Sequence, residues 1–303
     1  MLDQPKVFRM DFEFIAFDKD SKMVVSRPDS KRYEQRKIDG KEYLYDKFEE
    51  VLIGRDILEK IAKQLQTYPL TLIKKGIDDA EEYVESRIPI IHSILNSNKE
   101  HVWEDKSEEF LKSLSTNQTG FVFMCVDIVG STKLSISLPQ EKNGKLRSTA
   151  LHEMAEIIPK FRGYVLKYMG DGLIAYFPEP NLLRKNDLAI DCALTIRRLV
   201  YSGLNQVLKK NGYPKIDIRV GLDSGDGFVQ TMGSKMDIDS TMLDFAAKIQ
   251  HLGEPGDIIL GESSLRNLHA DWRELCEELP EKENWKYQKS DGQPYKIYKL
   301  NFN

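Results

Sequence analysis

Two carboxylates stand at the ends of apolar runs in the middle of the chain. The run FVFMCV (Phe121–Val126) meets Asp127, and Tyr164–Met169 leads through Gly170-Asp171-Gly172 into Leu173–Phe177. Each run is short, β-rich and bounded by turn residues, the pattern of a buried strand. Gly170–Gly172 suits a hairpin between the second pair. On neighbouring strands the two carboxylates would repel each other unless a cation lay between them. A pair of divalent metal ions with a triphosphate meets that need. Gly130, Ser131 and Thr132 follow Asp127 and are small enough for their backbone N–H groups to approach phosphate oxygens. Alone, an Asp after a strand is an ordinary turn former and a GDG an ordinary hairpin, so the weight rests on the combination.

The elements that must position these residues begin at Gly120 and run strand, helix, strand, strand, helix, strand. Lys145–Phe161 is an amphipathic helix with Leu151, Met154, Ile157 and Ile158 inward, and Asn186–Lys210 is a second. Lys215–Leu222 alternates as a strand, with a turn expected at Asp223–Gly227 before the strand Phe228–Met232. A third helix is expected over Asp239–His251, with further strands at Asp257–Leu260 and Tyr295–Leu300. The natural solution is α+β, a ferredoxin-like antiparallel sheet with helices on one face.

Residues 1–115 differ in character and read as an N-terminal mixed α/β accessory region, with the boundary in the polar stretch Ser113–Thr119 and the main domain over 120–303. Val7–Phe17 alternates like a strand and Lys22–Ser26 can pair with it. Arg27–Lys41 is charged and reads as loop, with the RPDSKR run and Lys74-Lys75 as solvated surface. Glu42–Thr67 and Ile77–Asn98 carry apolar residues at helical spacing. His92 and His101 have no partner spacing. At 303 residues, 41% hydrophobic and 30% charged, the chain has the material for a real core. A net charge of −4 argues against a nucleic-acid coat. Cys125, Cys192 and Cys276 show neither metal spacing nor a disulfide framework, which fits a reducing compartment. Neither a signal peptide nor a membrane span is visible, so the expectation is a cytoplasmic protein without membrane or nucleic-acid partners.

The segments CVDIVGST, KYMGDG, RVGLDSGDGFV and DIDSTMLDFAAKI stand in the order of the catalytic domain of class III nucleotidyl cyclases, the adenylate and guanylate cyclase family. Residues from about 120 to 300 resemble that domain. The resemblance implies that Asp127, Asp171 and the backbone carbonyl of Ile128 hold two Mg²⁺ or Mn²⁺ ions, and that Arg219 contacts the terminal phosphates. It further implies a head-to-tail homodimer with composite sites, the metals on one chain and the base readers, here Lys167 and Asp237, on the other. Lys donates to a ring nitrogen and Asp accepts from an exocyclic amine, an edge that adenine and cytosine both present. Guanine and uracil leave both groups mismatched.

The chain departs from the family where an Asn and an Arg usually follow. Asp244 and Lys248 occupy those positions and, with Asp237 and Thr241, are expected on one face of a helix. Lys248 can supply positive charge at the α-phosphate as a point rather than a planar fork. The substituted pair and the absence of a visible sensory module are similar to the stand-alone pyrimidine cyclases of bacterial Pycsar anti-phage systems, whose cyclic nucleotide activates an effector. The expectation is conversion of CTP to cCMP, with UTP to cUMP as a variant. Alternatives are an adenylate cyclase making cAMP, and an inactive nucleotide-binding module of the same shape.

Overall fold

The computed structural model describes residues 10–18, 23–65, 76–97, 106–114, 118–178, 185–280, 282 and 284–302. By contacts the chain divides into a unit of Met1–Lys74 with His269–Asp271 and a larger unit of Lys75–Leu268 with Trp272–Asn303. In the smaller unit, β1 (Phe12–Asp18) and β2 (Met23–Pro28) pair antiparallel, as the alternation implied. β3 (Tyr33–Ile38), β4 (Lys41–Asp46) and β5 (Val51–Gly54) form a second antiparallel sheet ahead of α1 (Arg55–Leu65).

Strands therefore replace the loop expected over Arg27–Lys41 and the first part of the helix expected over Glu42–Thr67. The reason is local. Asp39 and Gly40 both have positive φ (49° and 75°) and join Ile38 to Lys41 as a two-residue hairpin turn. Beyond Tyr33 every residue of β3 is exposed, so its charges on both faces stay in water, while Tyr33, Leu44 and Ile53 make a small core. Within the RPDSKR run Arg32 is buried rather than solvated, because its guanidinium donates to Asp11 at 3.0 Å and to Asp46 at 2.8 Å. Lys74, Lys75 and His101 lie outside the described residues, and His92 is exposed.

The larger unit opens with α2 (Ala80–Asn96) and α3 (Ser107–Leu114), so both group with the main sheet and not with the first 115 residues as a block. β6 (Gln118–Ile128), α4 (Ser131–Ser137), α5 (Gln140–Ile157), β7 (Tyr164–Met169), β8 (Gly172–Pro178) and α6 (Lys185–Arg198) follow. A π turn at Leu199–Leu204 carries α6 into α7 (Asn205–Lys210). Then come β9 (Ile218–Met232), β10 (Lys235–Asp239), α8 (Thr241–Ile249), β11 (Ile258–Gly261), α9 (Glu262–Arg266), β12 (Cys276–Glu278) and β13 (Ile297–Leu300). The strands form one sheet in the order β12-β13-β11-β9-β6-β8-β7, with β10 paired to β9. All pairings are antiparallel except β11 with β9.

Helices cover both faces of this sheet, not one. β6 is apolar on both sides, and a strand of that kind must be covered twice. Val122, Met124 and Val126 pack with residues of α2, α5 and α6, while Phe121, Phe123 and Cys125 pack with α3 and α8. Each of these side chains contributes roughly 1.5–3 kcal/mol by leaving water. The turn expected at Asp223–Gly227 is absent, since β9 runs unbroken from Ile218 to Met232. Asp223 is fully buried instead and accepts from the Tyr295 hydroxyl at 2.8 Å and from the Ser224 and Ser264 amides. Burial pushes its carboxyl up to about 7. No helix among the described residues is long and apolar enough to cross a membrane.

Candidate active site

Register places Asp127 between two functional neighbours. On one side it pairs with Gly172, which follows Asp171 in the β7–β8 turn; on the other it pairs with Arg219. Gly170 takes the left-handed conformation (φ 63°) that starts the turn. Gly172 is required by proximity: a Cβ there would lie 2.5 Å from the Val126 carbonyl oxygen. Any side chain would push the turn off β6 and carry Asp171 away. The Ile128 amide donates to the Asp171 carbonyl at 3.3 Å, and the Ser131 hydroxyl donates to the Asp171 carboxylate.

Arg219 is not on an outer surface. Its Nη2 donates to Asp127 Oδ2 at 3.0 Å and lies 3.3 Å from His251 Nδ1, its Nη1 reaches the His251 carbonyl at 3.4 Å, and its Nε is a buried donor without a partner. Burial pushes the Asp127 carboxyl up from its ordinary value; the Arg219 hydrogen bond opposes this, and the neighbouring charge of Asp171 adds to it. Gly130 begins α4 in the left-handed conformation (φ 69°) and offers no side chain to cap the helix. Thr132 is exposed two residues further on.

These groups fit a divalent metal. Two carboxylates, a hydroxyl and the adjoining Ile128 carbonyl are hard oxygen donors, and the pairing of Asp127 with Gly172 and of the Ile128 amide with the Asp171 carbonyl brings them to one place. No group of three or more acidic, His or Cys ligands occurs among the described residues. Further ligands would be phosphate oxygens, the usual completion of a Mg²⁺ site with two carboxylates.

A second cluster forms from the expected base readers. Lys167, at a bulge in β7, donates to Asp237 of β10 at 2.6 Å, although three strands separate β7 from β10 in the sheet order. The other oxygen of Asp237 accepts the Ile238 amide at 2.9 Å. Asp237 is thus on a strand and does not share a helix face with Thr241, Asp244 and Lys248. The helix begins at Thr241, two residues later than expected, because Ser240 caps it by accepting from the Met242 amide.

Thr241, Asp244 and Lys248 are all exposed on α8. The helix lies directly on β9, where a Cβ on Gly221 would be 2.2 Å from the Ala246 carbonyl oxygen. Cys125 opens the CVDIVGST segment and is buried on β6, two residues before Asp127. Burial pushes its thiol up to about 12, Lys167 opposing the shift and Asp244 adding to it. His251 and Tyr287 are site neighbours that no spacing pointed to.

Residues 112–290 match the Adenylate and Guanylate cyclase catalytic domain. Among curated proteins, a cytidylate cyclase of Escherichia coli is 25% identical over 67% of this chain and 47% of its own length. One of Staphylococcus aureus is 25% identical over 59% of this chain and 46% of its own. An adenylate cyclase of Anabaena cylindrica is 26% identical over 65% and 38% respectively. The chain thus spans less than half the length of these relatives. Among solved structures, the adenylyl cyclase CyaB from P. aeruginosa aligns with TM-score 0.53 at 23% identity, over 62% of this chain and 97% of that one. The guanylyl cyclase Cya2 aligns with TM-score 0.54 at 18% identity, over 61% and 93%. Both likenesses bear on the fold, and with the matched residues spanning β6 through the Trp285–Tyr287 segment, the chain belongs to the adenylate and guanylate cyclase catalytic domain family.

Proposed function

We propose that this chain is a nucleotidyl cyclase that converts CTP to 3′,5′-cyclic CMP and pyrophosphate. The observation that carries the base preference is the Lys167–Asp237 pair at 2.6 Å, a donor set beside an acceptor and matched to the amine and imine edge of cytosine or adenine; similarity to cytidylate cyclases favours cytosine of the two. Lys167 donates to N3 of the base and Asp237 accepts from the 4-amino group. Asp127, Asp171 and the Ile128 carbonyl would hold two Mg²⁺ or Mn²⁺ ions. When bound, such ions supply Lewis acidity at the ribose 3′ oxygen and at the triphosphate. Arg219 keeps Asp127 oriented through its 3.0 Å bond and has further donors for the terminal phosphates. Ser131 fixes the Asp171 carboxylate, and the Gly130–Thr132 backbone approaches phosphate. Lys248 places its charge at the α-phosphate, with Asp244 beside the ribose. The 3′ oxygen bonds to the α-phosphorus, the bond to the β-phosphate oxygen breaks, and the 3′-hydroxyl proton passes to solvent.

The active form in this proposal is a head-to-tail homodimer in which one chain holds the metals and the other reads the base. Its cyclic product acts in the cytoplasm on a separate effector, in the anti-phage role that the resemblance to stand-alone pyrimidine cyclases implies. Adenine offers Lys167 and Asp237 the same edge, so conversion of ATP to cAMP is the second reading.

Subunit mixing tests the composite site. Asp171→Ala and Lys167→Ala proteins, each inactive alone, recover about a quarter of wild-type activity when subunits exchange freely, because one site of each mixed two-fold dimer is intact. Absence of recovery after demonstrated exchange contradicts the shared geometry.

A further inference from the structure

We propose that Tyr287 is a positioning residue for Lys248, holding the ammonium over its ring so that the charge is presented at one place in the nucleotide site. This rests on the cyclase reading above, in which Lys248 serves the α-phosphate. The Nζ of Lys248 lies 4.8 Å from the Tyr287 ring centroid. Lys248 is exposed, and among the described residues no carboxylate forms an ion pair with it, although Asp244 stands one turn earlier on the same face. An exposed lysine has a flexible four-carbon stem and sweeps a wide volume, whereas an arginine carries a pre-organised planar fork. A lysine in that role needs something to aim it.

Tyr287 is built to do so. Its ring lies 4.9 Å from Phe245 and 4.7 Å from Trp285, centroid to centroid. The Trp285 indole donates to the Tyr295 carbonyl at 2.8 Å, and the Tyr295 amide donates to the Tyr287 carbonyl at 2.8 Å. Gln288 and Pro294 form a β-bridge that closes the hairpin. Phe245 lies three residues before Lys248 on α8, so the helix that carries the lysine also braces the ring. An aromatic face attracts a cation without neutralising it, unlike a carboxylate. The ammonium is therefore oriented and still available to a phosphate. A hydrogen bond with the Tyr287 side chain raises the Lys248 pKa from its ordinary value.

The test is a double-mutant cycle in full-length protein, with kcat and KM measured for wild type, Tyr287→Leu, Tyr287→Phe, Lys248→Ala and the Lys248→Ala/Tyr287→Leu double variant. Tyr287→Leu lowers kcat about fivefold, the scale of an exposed cation–ring contact, with little change in KM. Tyr287→Phe keeps most of the activity because the ring remains. In the Lys248→Ala background the leucine substitution costs nothing further. If it costs as much there as in wild type, or if Tyr287→Leu is fully active, the inference is overturned while the cyclase reading stands. Full activity of Lys248→Ala removes the lysine's role and the inference with it. Thermal melts accompany each variant, and Tyr287→Met replaces the leucine variant if that protein is unfolded.

Discussion

Alanine at Asp127 or at Asp171 is expected to lower pyrophosphate release by on the order of 10³-fold or more, because each removes one of the two acidic ligands on which the metal site depends. The two substitutions should differ in stability. Asp127→Ala leaves the guanidinium of Arg219, only 19% exposed, without its carboxylate. Stripping one member from a buried pair costs about 3–5 kcal/mol, and less at this partial exposure. Asp171 sits in a turn, and its loss mainly frees the Ser131 hydroxyl, so Asp171→Ala should melt close to wild type. Asp127→Asn separates the two effects at the first position. Its amide oxygen can still accept from Arg219, so the fold survives, while the lost negative charge removes metal binding. Activity assays paired with urea melts check all three variants. Normal turnover by both alanine proteins would refute the metal site.

Base selection carries the second large effect. With Lys167 and Asp237 already paired, the correct base meets a donor and an acceptor in fixed register, and an incorrect one leaves two polar groups unmatched. Such a mismatch discriminates by factors on the order of 10⁴ when the pocket is closed. Turnover of CTP or ATP should therefore exceed that of UTP and GTP by a wide margin. Asp237→Asn replaces an obligate acceptor with an amide that can rotate to donate. It should relax rejection of UTP and GTP and at the same time reduce activity on the native substrate. The backbone contact to Ile238 needs only an oxygen and can persist. Steady-state kinetics with the four nucleotides, wild type against variant, reads the change. Preference of the wild type for UTP over both CTP and ATP would remove this pair as the reader.

Much of the catalytic unit was legible in the sequence because local and global signals agree there. FVFMCV is apolar at every position and becomes the central strand, and GDG has the glycines its turn requires, one for a left-handed φ and one for contact with β6. Where signals conflict, the reading fails. Tyr33–Ile38 carries so many charges that it resembles a loop, yet those charges face solvent from a thin sheet, and the Asp39-Gly40 hairpin signal marks it as a strand. Asp223-Ser224-Gly225-Asp226-Gly227 has turn composition but lies within a strand, because a tyrosine distant in sequence accommodates the Asp223 carboxyl. His251 and Tyr287 enter the site through tertiary contact alone. Asp237 is read onto a helix but lies on a strand, since helical spacing continues by coincidence across the Ser240 cap.

The most direct measurement is the identity of the product. Purified protein incubated separately with CTP, UTP, ATP and GTP in Mn²⁺, followed by mass spectrometry, is predicted to yield 3′,5′-cyclic CMP with stoichiometric pyrophosphate, and to yield neither when the metal is chelated. Absence of a cyclic product from every nucleotide, from protein shown to bind CTP and Mn²⁺, would contradict the account and leave a nucleotide-binding module in place of an enzyme.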